Sequence, residues 1–563
     1  MFKKLKQLCA VFVAFVMVFP LLTPNVSAAE KGSVKNVILL IPDGMGASYL
    51  TASRIFKGEE LSFERYLKGM MKTYSADTSV TDSAAAGTAM ATGYKTDNGK
   101  ISVTPDGREP DSILDAARNK DKATGLVATS RITHATPAVF VSHDASRGNE
   151  VELAQQYIGN VDVILGGGRD MFTLEEDGGK QPERNLVAEA EEAGYDYITK
   201  KSEMADVEGD KVLGLFADAA LTYEIDRVDS EQPSLSEMTD MAIDILDKND
   251  EGFFLMVEGS QIDWAGHAND PVAAITDTLE FEKAVDEALE FAKEDKETLV
   301  VVVGDHETGG MVIGTTPGGY ADNISILKNV KASNNVIAEQ LVTNALSLSL
   351  TGSKEVDGNH YLPVRQAARQ FSTSFTYDSK TRKAVLKNNT HSVTLDFGRQ
   401  EVNNGREVKL FDMFYDAEEK SNYVNVQSFA EMFGKHVAIG TTSNKPEETK
   451  AYVANINEIV SPFVGFEITE EDEKMITSVN WNDQYALSNV LGTVVSNHAY
   501  ISWGTRNHSG VEVPLYAYGE GANEFVGLLD NTDLPRIISY LMGTELFTDE
   551  ENFMSQLEER RTN

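Results

Sequence analysis

The chain of 563 residues has a single cysteine, Cys9, and far fewer basic than acidic residues. One thiol excludes an intramolecular disulfide and any zinc site built from several cysteines. With 50 Lys+Arg against 88 Asp+Glu, the formal net charge is −38. Such a charge opposes nucleic-acid binding, because phosphates are neutralised by clustered Lys and Arg. With 41% hydrophobic residues, the chain has the composition of a globular, soluble protein.

Long apolar runs are also missing, except at the amino terminus. Lys3, Lys4 and Lys6 precede an apolar run at 8–19, and small residues follow at 26–28. This pattern predicts a secretory signal peptide over residues 1–29, cleaved after Ala28 or Ala29. A membrane anchor is the alternative, but the run is too short to cross about 30 Å of hydrocarbon. We therefore expect a secreted, extracellular or cell-wall-associated protein without a transmembrane span after cleavage, and Cys9 leaves with the peptide.

Strand and helix patterns alternate between about residues 31 and 310. Continuous apolar runs predict strands at 36–41, 125–129, 161–165, 253–257 and 299–303, and residues 270–293 have the apolar spacing of a helix. Strands that are apolar on both faces belong in a buried, mostly parallel sheet. The sequence therefore predicts an α/β fold, with a doubly wound central sheet flanked by helices.

The segment 345–450 does not continue this alternation of strand and helix patterns. It has short alternating runs, as at 392–397, and an internal echo in which 361–371 aligns with 423–433. This pattern resembles the small α+β module found at the amino terminus of copper amine oxidases and on secreted Gram-positive proteins. Its histidines, His360, His391 and His436, are scattered and predict no metal site. We predict a signal peptide at 1–29, a catalytic domain in two parts at 30–344 and 451–563, and an insert at 345–450.

Three predicted strands lead into acidic residues and histidines. Asp43 follows the first, Glu258 ends the second, and Asp305-His306 follows the third. In an open α/β sheet, sites form where the carboxyl ends of strands meet. An acidic residue after a strand, taken alone, is more often a helix cap, but three equivalent positions favour a metal site.

Two further candidate ligands follow the second strand. Asp263 and His267 are four positions apart, so that one helical turn could direct both side chains to one ion. Carboxylate oxygen with imidazole nitrogen suits Zn²⁺.

Ser83 is the candidate nucleophile. It begins a stretch of small residues that predicts a helix, and a helix start favours phosphate or an oxyanion. The alternative is an ordinary helix cap, because Asp82 and Ser83 are both good capping residues. The chain has no Ser–His triad motif, so this serine would need a metal ion for activation.

Three other segments carry candidate polar groups. His134 and Thr136 follow a predicted strand, Arg147 could form two hydrogen bonds to a phosphate, and His508 lies in a glycine-rich loop. Taken singly, each is more typical of a solvated surface.

Six motifs, in this order, resemble those of bacterial alkaline phosphatases of the Bacillus type. They are Asp-Gly-Met-Gly at 43–46, Thr-Asp-Ser-Ala-Ala-Ala-Gly-Thr-Ala at 81–89, His-Ala-Thr-Pro-Ala at 134–138, Glu-Gly-Ser-Gln-Ile-Asp-Trp-Ala-Gly-His at 258–267, Gly-Asp-His-Glu-Thr-Gly-Gly at 304–310, and His-Ser-Gly at 508–510. The match covers about 30–340 and 450–563. The resemblance implies a secreted phosphatase that hydrolyses many small phosphate monoesters through a phosphoserine at Ser83.

The resemblance also implies a set of metal and phosphate ligands. One zinc ion is assigned to Asp263, His267 and His508, a second to Asp43, Ser83, Asp305 and His306, a magnesium or cobalt ion to Asp43, Thr136 and Glu258, and the phosphate clamp to Arg147. The chain departs from some members of the family at His134 and Trp264, where those members have Asp and Lys. We expect a weakly held third ion for this reason.

Two other functions remain open from the sequence. One is a phosphodiesterase or sulfatase of the same superfamily, although these usually use Thr or a modified Cys as nucleophile. The other is a surface-binding protein in which the insert is the working part. A homodimer and cell-surface contact through the insert also remain open.

Overall fold

A computed structural model describes residues 29–227, 230–315, 319–388, 391–404, 407–441 and 449–562. The predicted signal peptide lies outside the described residues except for Ala29. Within these ranges, no helix is both long enough and apolar enough to cross a bilayer.

A ten-stranded sheet forms the centre of the fold. In spatial order its strands are Gly527–Asp530, Leu67–Lys72, Val513–Gly519, Thr298–Val303, Asn36–Ile41, Phe253–Glu258, Ala123–Arg131, Val163–Gly167, Val212–Leu215 and Asp196–Ile198. Val513–Gly519 runs antiparallel to both of its neighbours, and all other pairs are parallel. The predicted α/β fold with a mostly parallel sheet is confirmed.

Both faces of the sheet are buried, which explains the unbroken apolar strands. In Asn36–Ile41, Ile38 and Leu40 face one hydrophobic core, whereas Leu39 and Ile41 face another. The long Pro271–Asp295 helix packs on the first face. Asp270 caps that helix by accepting hydrogen bonds from two backbone N–H groups, so its start is fixed by a local signal.

The other α-helices lie around the sheet, within the segment 346–454 or after that segment. Within the described residues they are Ala47–Lys57, Ser83–Thr92, Ile113–Arg118, Ala135–Ala138, Glu150–Ala154, Leu186–Glu192, Leu235–Leu246, Gln261–Ala268, Asn334–Asn344, Val364–Gln370, Val426–Glu431, Ile456–Val464, Glu470–Thr477, Gln484–Ala499, Asp533–Met542 and Glu550–Thr562.

The segment 346–454 builds three smaller sheets. One contains Leu346–Ser349, Lys450–Ala454 and His436–Gly440, one contains Lys354–Val356, Asn359–Pro363, Ser421–Asn425 and Met413–Asp416, and one contains Ser374–Asp378, Lys383–Lys387, Ser392–Asp396, Glu401–Asn403 and Val408–Leu410. The sequence echo has a structural counterpart. Asn359–Pro363 pairs with Ser421–Asn425, and each strand runs directly into a short helix.

The three-stranded sheet lies between two hydrophobic cores. Leu348 and Val453 belong to the core of the segment itself, whereas Tyr452 and Ala454 belong to a core of the α/β part. Tyr452 packs with its ring centroid 5.9 Å from that of Trp481. The domain limits at 345 and 450 stay a prediction, and this sheet joins the two parts.

Candidate active site

Three neighbouring strands of the central sheet carry acidic residues to one edge. Asp43 follows Asn36–Ile41, Glu258 ends Phe253–Glu258, and Asp305 follows Thr298–Val303. The Nε2 atom of His306 lies 3.2 Å from Asp305 Oδ2 and 3.5 Å from Asp43 Oδ1. Asp43, Asp305 and His306 are fully buried and lie close enough together to hold one metal ion.

A second group lies beside the first. The Gln261–Ala268 helix carries Asp263 and His267 on one turn, with Asp263 Oδ2 3.4 Å from His267 Nε2. His508 enters from the carboxyl-terminal part because the short strands Glu307–Thr308 and His508–Ser509 pair. Its Nε2 atom lies 3.1 Å from His267 Nε2 and 3.6 Å from Asp263 Oδ1. Asp263, His306 and His508 form a further group with the spacing of metal ligands.

Ser83 is the first residue of the Ser83–Thr92 helix. The preceding residue, Asp82, caps the helix by accepting a hydrogen bond from the backbone N–H of Ala85 at 2.9 Å. Ser83 is buried, and its Oγ atom lies 3.2 Å from His306 Nε2. The helix start therefore places the candidate nucleophile against the first group of ligands.

The candidate third site has oxygen donors. Thr136 Oγ donates a hydrogen bond of 3.3 Å to Asp43 Oδ2. Glu258 Oε2 accepts a hydrogen bond of 3.4 Å from Ser130 Oγ. Thr136 and Glu258 are fully buried, so that a cation bound by them would be shielded from solvent.

Arg147, His134 and Trp264 lie together at the rim. Arg147 donates to Asp82 Oδ2 at 3.0 Å and to His134 Nε2 at 3.0 Å. The ring of Trp264 meets that of His134 edge to face, with centroids 5.6 Å apart. The Arg147 side chain keeps 28% of its surface exposed, which leaves it accessible to an incoming anion.

The electrostatics of the buried carboxylates fit bound cations. Burial raises the pKa of Glu258 to about 7, and burial together with the charge of Asp263 raises the pKa of Asp305 to about 8. Burial and the neighbouring carboxylates Asp305 and Asp263 raise the pKa of Asp43 well above its usual value. Among the described residues, Asp43 Oδ1, Glu258 Oε1 and Asp305 Oδ2 have no hydrogen-bond partner. Because such atoms are costly to bury unpaired, this set of donors fits divalent metal ions.

Three histidines of the site, His306, His508 and His134, have lowered pKa values, which favours the neutral imidazole that metal binding requires. Although burial acts to lower the pKa of His267, its hydrogen bond with Asp263 and the charge of that carboxylate raise it. Burial and the neighbouring His508 lower the pKa of His306 well below its usual value. Burial, followed by the charge of Arg147, lowers the pKa of His134 to about 3. Although burial acts to raise the pKa of Asp263, its hydrogen bond with His267 and the surrounding histidines hold it below its usual value.

The site residues predicted from the sequence come together at this edge of the sheet, but Thr308 and Ser130 were missed. Thr308 contacts both Asp263 and His306, and Ser130 contacts Glu258. Thr308 lies inside the 304–310 motif, which could have drawn attention to it. Ser130 lies in a strand and carries no such local signal. Asp82 was recognised only as a helix cap, although it also holds Arg147.

An α/β sheet with clustered carboxylates and histidines beside a buried serine defines the chain as a metal-binding enzyme of the α/β class. The family model described as alkaline phosphatase matches residues 34–544, so the chain belongs to the alkaline phosphatase family. The predicted resemblance to alkaline phosphatases and the predicted enzyme class are thereby confirmed, whereas the resemblance of residues 345–450 to a copper amine oxidase module stays a prediction.

Two curated relatives and one solved structure show how far the likeness extends. The chain is 35% identical to alkaline phosphatase 3 of Bacillus subtilis, covering 91% of each sequence. It is 33% identical to alkaline phosphatase 4 of the same organism, covering 92% of this chain and 90% of the relative. The crystal structure of a cold-active alkaline phosphatase from Shewanella sp. has a TM-score of 0.65 and 27% identity, covering 90% of this chain and 99% of the other.

Proposed function

We propose that this chain is a secreted phosphomonoesterase that transfers the phosphoryl group of small phosphate monoesters to Ser83 and then to water. The position of Ser83 carries the proposal. Its hydroxyl is buried at a helix start and lies 3.2 Å from His306 Nε2, beside both groups of candidate metal ligands. The family and the two relatives, which span the length of this chain, support the same activity.

The proposal includes three metal ions, each with its own set of ligands. We propose that one zinc ion is held by Asp263, His267 and His508, a second by Asp43, Asp305, His306 and Ser83, and a magnesium or cobalt ion by Asp43, Thr136 and Glu258. The all-oxygen donors of the third site suit the harder ion. Bound at these positions, the cations would lower the pKa of the serine hydroxyl and neutralise phosphate charge.

The protein side chains perform binding and transfer. The Arg147 guanidinium can form two parallel hydrogen bonds with phosphate oxygens, and the start of the Ser83–Thr92 helix adds its positive end. Ser83 Oγ gives its proton to solvent and attacks phosphorus as the P–O bond to the alcohol breaks, and the departing alkoxide takes a proton from solvent. A water oxygen then bonds to phosphorus as the bond between phosphorus and Ser83 Oγ breaks, and one proton of that water passes to Ser83 Oγ, which releases inorganic phosphate and restores the serine.

The same arrangement predicts broad use of phosphate monoesters. The proposed contacts bind the phosphate and make no contact with the alcohol part of the substrate.

Four other expectations stay predictions: cleavage of the signal peptide, secretion, a homodimer, and cell-surface contact through the insert. A phosphodiesterase or sulfatase remains the competing activity, and turnover of an aryl monoester, a diester and a sulfate ester by one preparation distinguishes the three.

The experiment that tests the proposal compares Ser83→Ala with Ser79→Ala, an exposed serine nearby. Ser83→Ala should lose most turnover of an aryl phosphate, by at least about 1,000-fold, while it retains zinc, because Asp43, Asp305 and His306 remain. Ser79→Ala should behave as wild type. Near-normal turnover by Ser83→Ala would contradict a covalent role for this serine.

A further inference from the structure

Thr308 occupies a fixed, fully buried position between the two groups of candidate zinc ligands. Its backbone N–H donates to Gly44 O at 3.0 Å, and its carbonyl accepts from the Tyr49 hydroxyl at 2.6 Å. It also lies opposite His508 in the short strand pair. The main chain that carries the hydroxyl is therefore held on both sides.

The space around this hydroxyl depends on Gly44. A Cβ atom at Gly44 would lie 2.8 Å from Thr308 Oγ and 2.8 Å from Asp263 Cα. Gly44 also has a φ of +75°, a conformation that side chains disfavour. The chain turns here in a way that only glycine allows, and this turn lets Thr308 approach Asp263 closely.

The Thr308 hydroxyl has two neighbours but only one proton. It is hydrogen-bonded to Asp263 Oδ1 and lies 3.3 Å from His306 Nδ1. Asp263 is a candidate metal ligand, and a carboxylate that binds a cation is ionised and can only accept. The hydroxyl must donate to Asp263, so that it can only accept from His306. His306 must then carry its proton on Nδ1.

This assignment decides what the other ring nitrogen can do. With the proton on Nδ1, His306 Nε2 presents a lone pair to Ser83 Oγ, to Asp305 Oδ2 at 3.2 Å and to Asp43 Oδ1 at 3.5 Å. A lone pair that faces two carboxylates is favourable when a cation binds there. The opposite tautomer would donate from Nε2 to Asp305 and satisfy the pair without a metal ion.

We propose that Thr308 is a positioning residue that fixes His306 as the Nδ1–H tautomer and orients Asp263, so that one hydroxyl prepares both groups of ligands for zinc. The inference rests on the proposed function, because it deepens the assignment of the same two zinc sites. It predicts that the hydroxyl, and not the volume of the threonine, controls zinc affinity.

The test uses the full-length protein stripped of metal and titrated with zinc against a chromophoric chelator. Thr308→Val keeps the shape and removes the hydroxyl, Thr308→Ser keeps the hydroxyl, and Thr239→Val is a matched change of another buried, hydrogen-bonded threonine. We expect Thr308→Val to weaken zinc binding by roughly 10- to 100-fold, with Thr308→Ser and Thr239→Val close to wild type. Imidazole nitrogen-15 shifts in histidine-labelled protein should show Nδ1–H at His306 in wild type and Thr308→Ser, and loss of this preference in Thr308→Val.

The outcomes distinguish a failure of the proposed function from a failure of the inference about Thr308. Wild type that binds no zinc would overturn the proposed function together with the inference that depends on it. Wild type that binds zinc, with Thr308→Val equal to it in affinity and tautomer, would overturn the inference alone. Equal losses in Thr308→Val and Thr308→Ser, with a lowered Tm in both, would also overturn it, because they would show that only packing matters.

Discussion

Arg147 is anchored by Asp82, the residue immediately before Ser83, through a hydrogen bond of 3.0 Å from Nη1 to Oδ2. The same carboxylate caps the helix that Ser83 begins and accepts the backbone N–H of Gly99. The candidate phosphate clamp and the candidate nucleophile are therefore held by one side chain. A displacement of Asp82 would move both groups.

The first prediction concerns the phosphate clamp. Arg147→Lys should raise the KM for an aryl phosphate and the inhibition constant of inorganic phosphate by about 10-fold, since lysine cannot form two parallel hydrogen bonds. Steady-state kinetics with phosphate as inhibitor checks this. Arg108→Lys, at an exposed arginine paired with Asp106, is the control. An unchanged inhibition constant in Arg147→Lys would show that the guanidinium does not bind phosphate.

The second prediction concerns the candidate third site. His134 is held neutral, its Nδ1 atom has no hydrogen-bond partner among the described residues, and its Nε2 accepts from Arg147. His134→Asp should tighten magnesium binding by roughly 10- to 100-fold, because an anionic side chain can orient the waters that a six-coordinate ion needs. Wild type should be activated by added magnesium or cobalt.

Metal-stripped protein at fixed zinc, titrated with magnesium, decides this prediction. The KM should also change in His134→Asp, because the new carboxylate would attract Arg147. Saturation of wild type and variant at equal magnesium concentrations would show that His134 does not control the third ion.

The third prediction concerns pH and a buried acid outside the site. Burial and the charges of Glu224, Asp226 and Asp270 raise the pKa of Asp277 well above its usual value, although the backbone N–H of Glu224 donates to it. The folded state then holds a proton that the unfolded chain releases above about pH 4. Stability contributed by the protonated form is present at low pH and is lost as pH rises from about 4 to the raised pKa.

Asp277→Asn should remove this loss, because the amide keeps an acceptor for Glu224 and carries no charge. We expect a gain in the free energy of unfolding of about 1 kcal/mol or more at pH 8, and a smaller difference at pH 5. Denaturant unfolding at several pH values measures it. A difference that is constant with pH would mean that Asp277 titrates normally.

The fourth prediction concerns removal of the insert. Residues 351–435 should be replaceable by a linker of about eight Gly and Ser residues without loss of aryl phosphate turnover, because none of the candidate ligands lies there. Removing all of 345–450 should lower the Tm. That cut takes away the strands beside Tyr452, and with them the paired hydrogen bonds between Thr441 and Asn480.

Metal content, Tm and turnover of the two deletions check this prediction. A shorter deletion that folds and binds zinc but cannot hydrolyse a small aryl phosphate would show that the insert takes part in the chemistry. Equal Tm values for both deletions would contradict the role of the three-stranded sheet as the joint.

The central strands could be predicted because burial on both faces demands unbroken apolar runs, as in Asn36–Ile41. The strand predicted at 161–165 lies two residues later, at Val163–Gly167. The prediction ended too early because the strand ends in glycines, which strand propensity disfavours. A Cβ atom at Gly167 would lie 2.1 Å from Ala219 O, so that close packing requires glycine. The outer strands Leu67–Lys72 and Gly527–Asp530 are partly exposed and were not predicted.

In the site, too, contacts between residues close in sequence could be predicted, and contacts between distant residues could not. The spacing of Asp263 and His267 could be interpreted from one helical turn. His508 lies 241 positions beyond His267, and no local pattern connects them. Only the resemblance to a family supplied that partner, since the pairing of His508 with Thr308 arises from tertiary structure.

The most direct test of the account is to identify the residue that carries phosphate during turnover. Zinc- and magnesium-loaded protein is mixed with an excess of phosphate monoester, quenched in acid within one turnover, digested and analysed by mass spectrometry, with Ser83→Ala in parallel. We predict a phosphorylated peptide in which Ser83 carries the phosphate, and none from the variant. Rapid turnover without a phosphorylated peptide, or phosphate on another residue, would contradict the account.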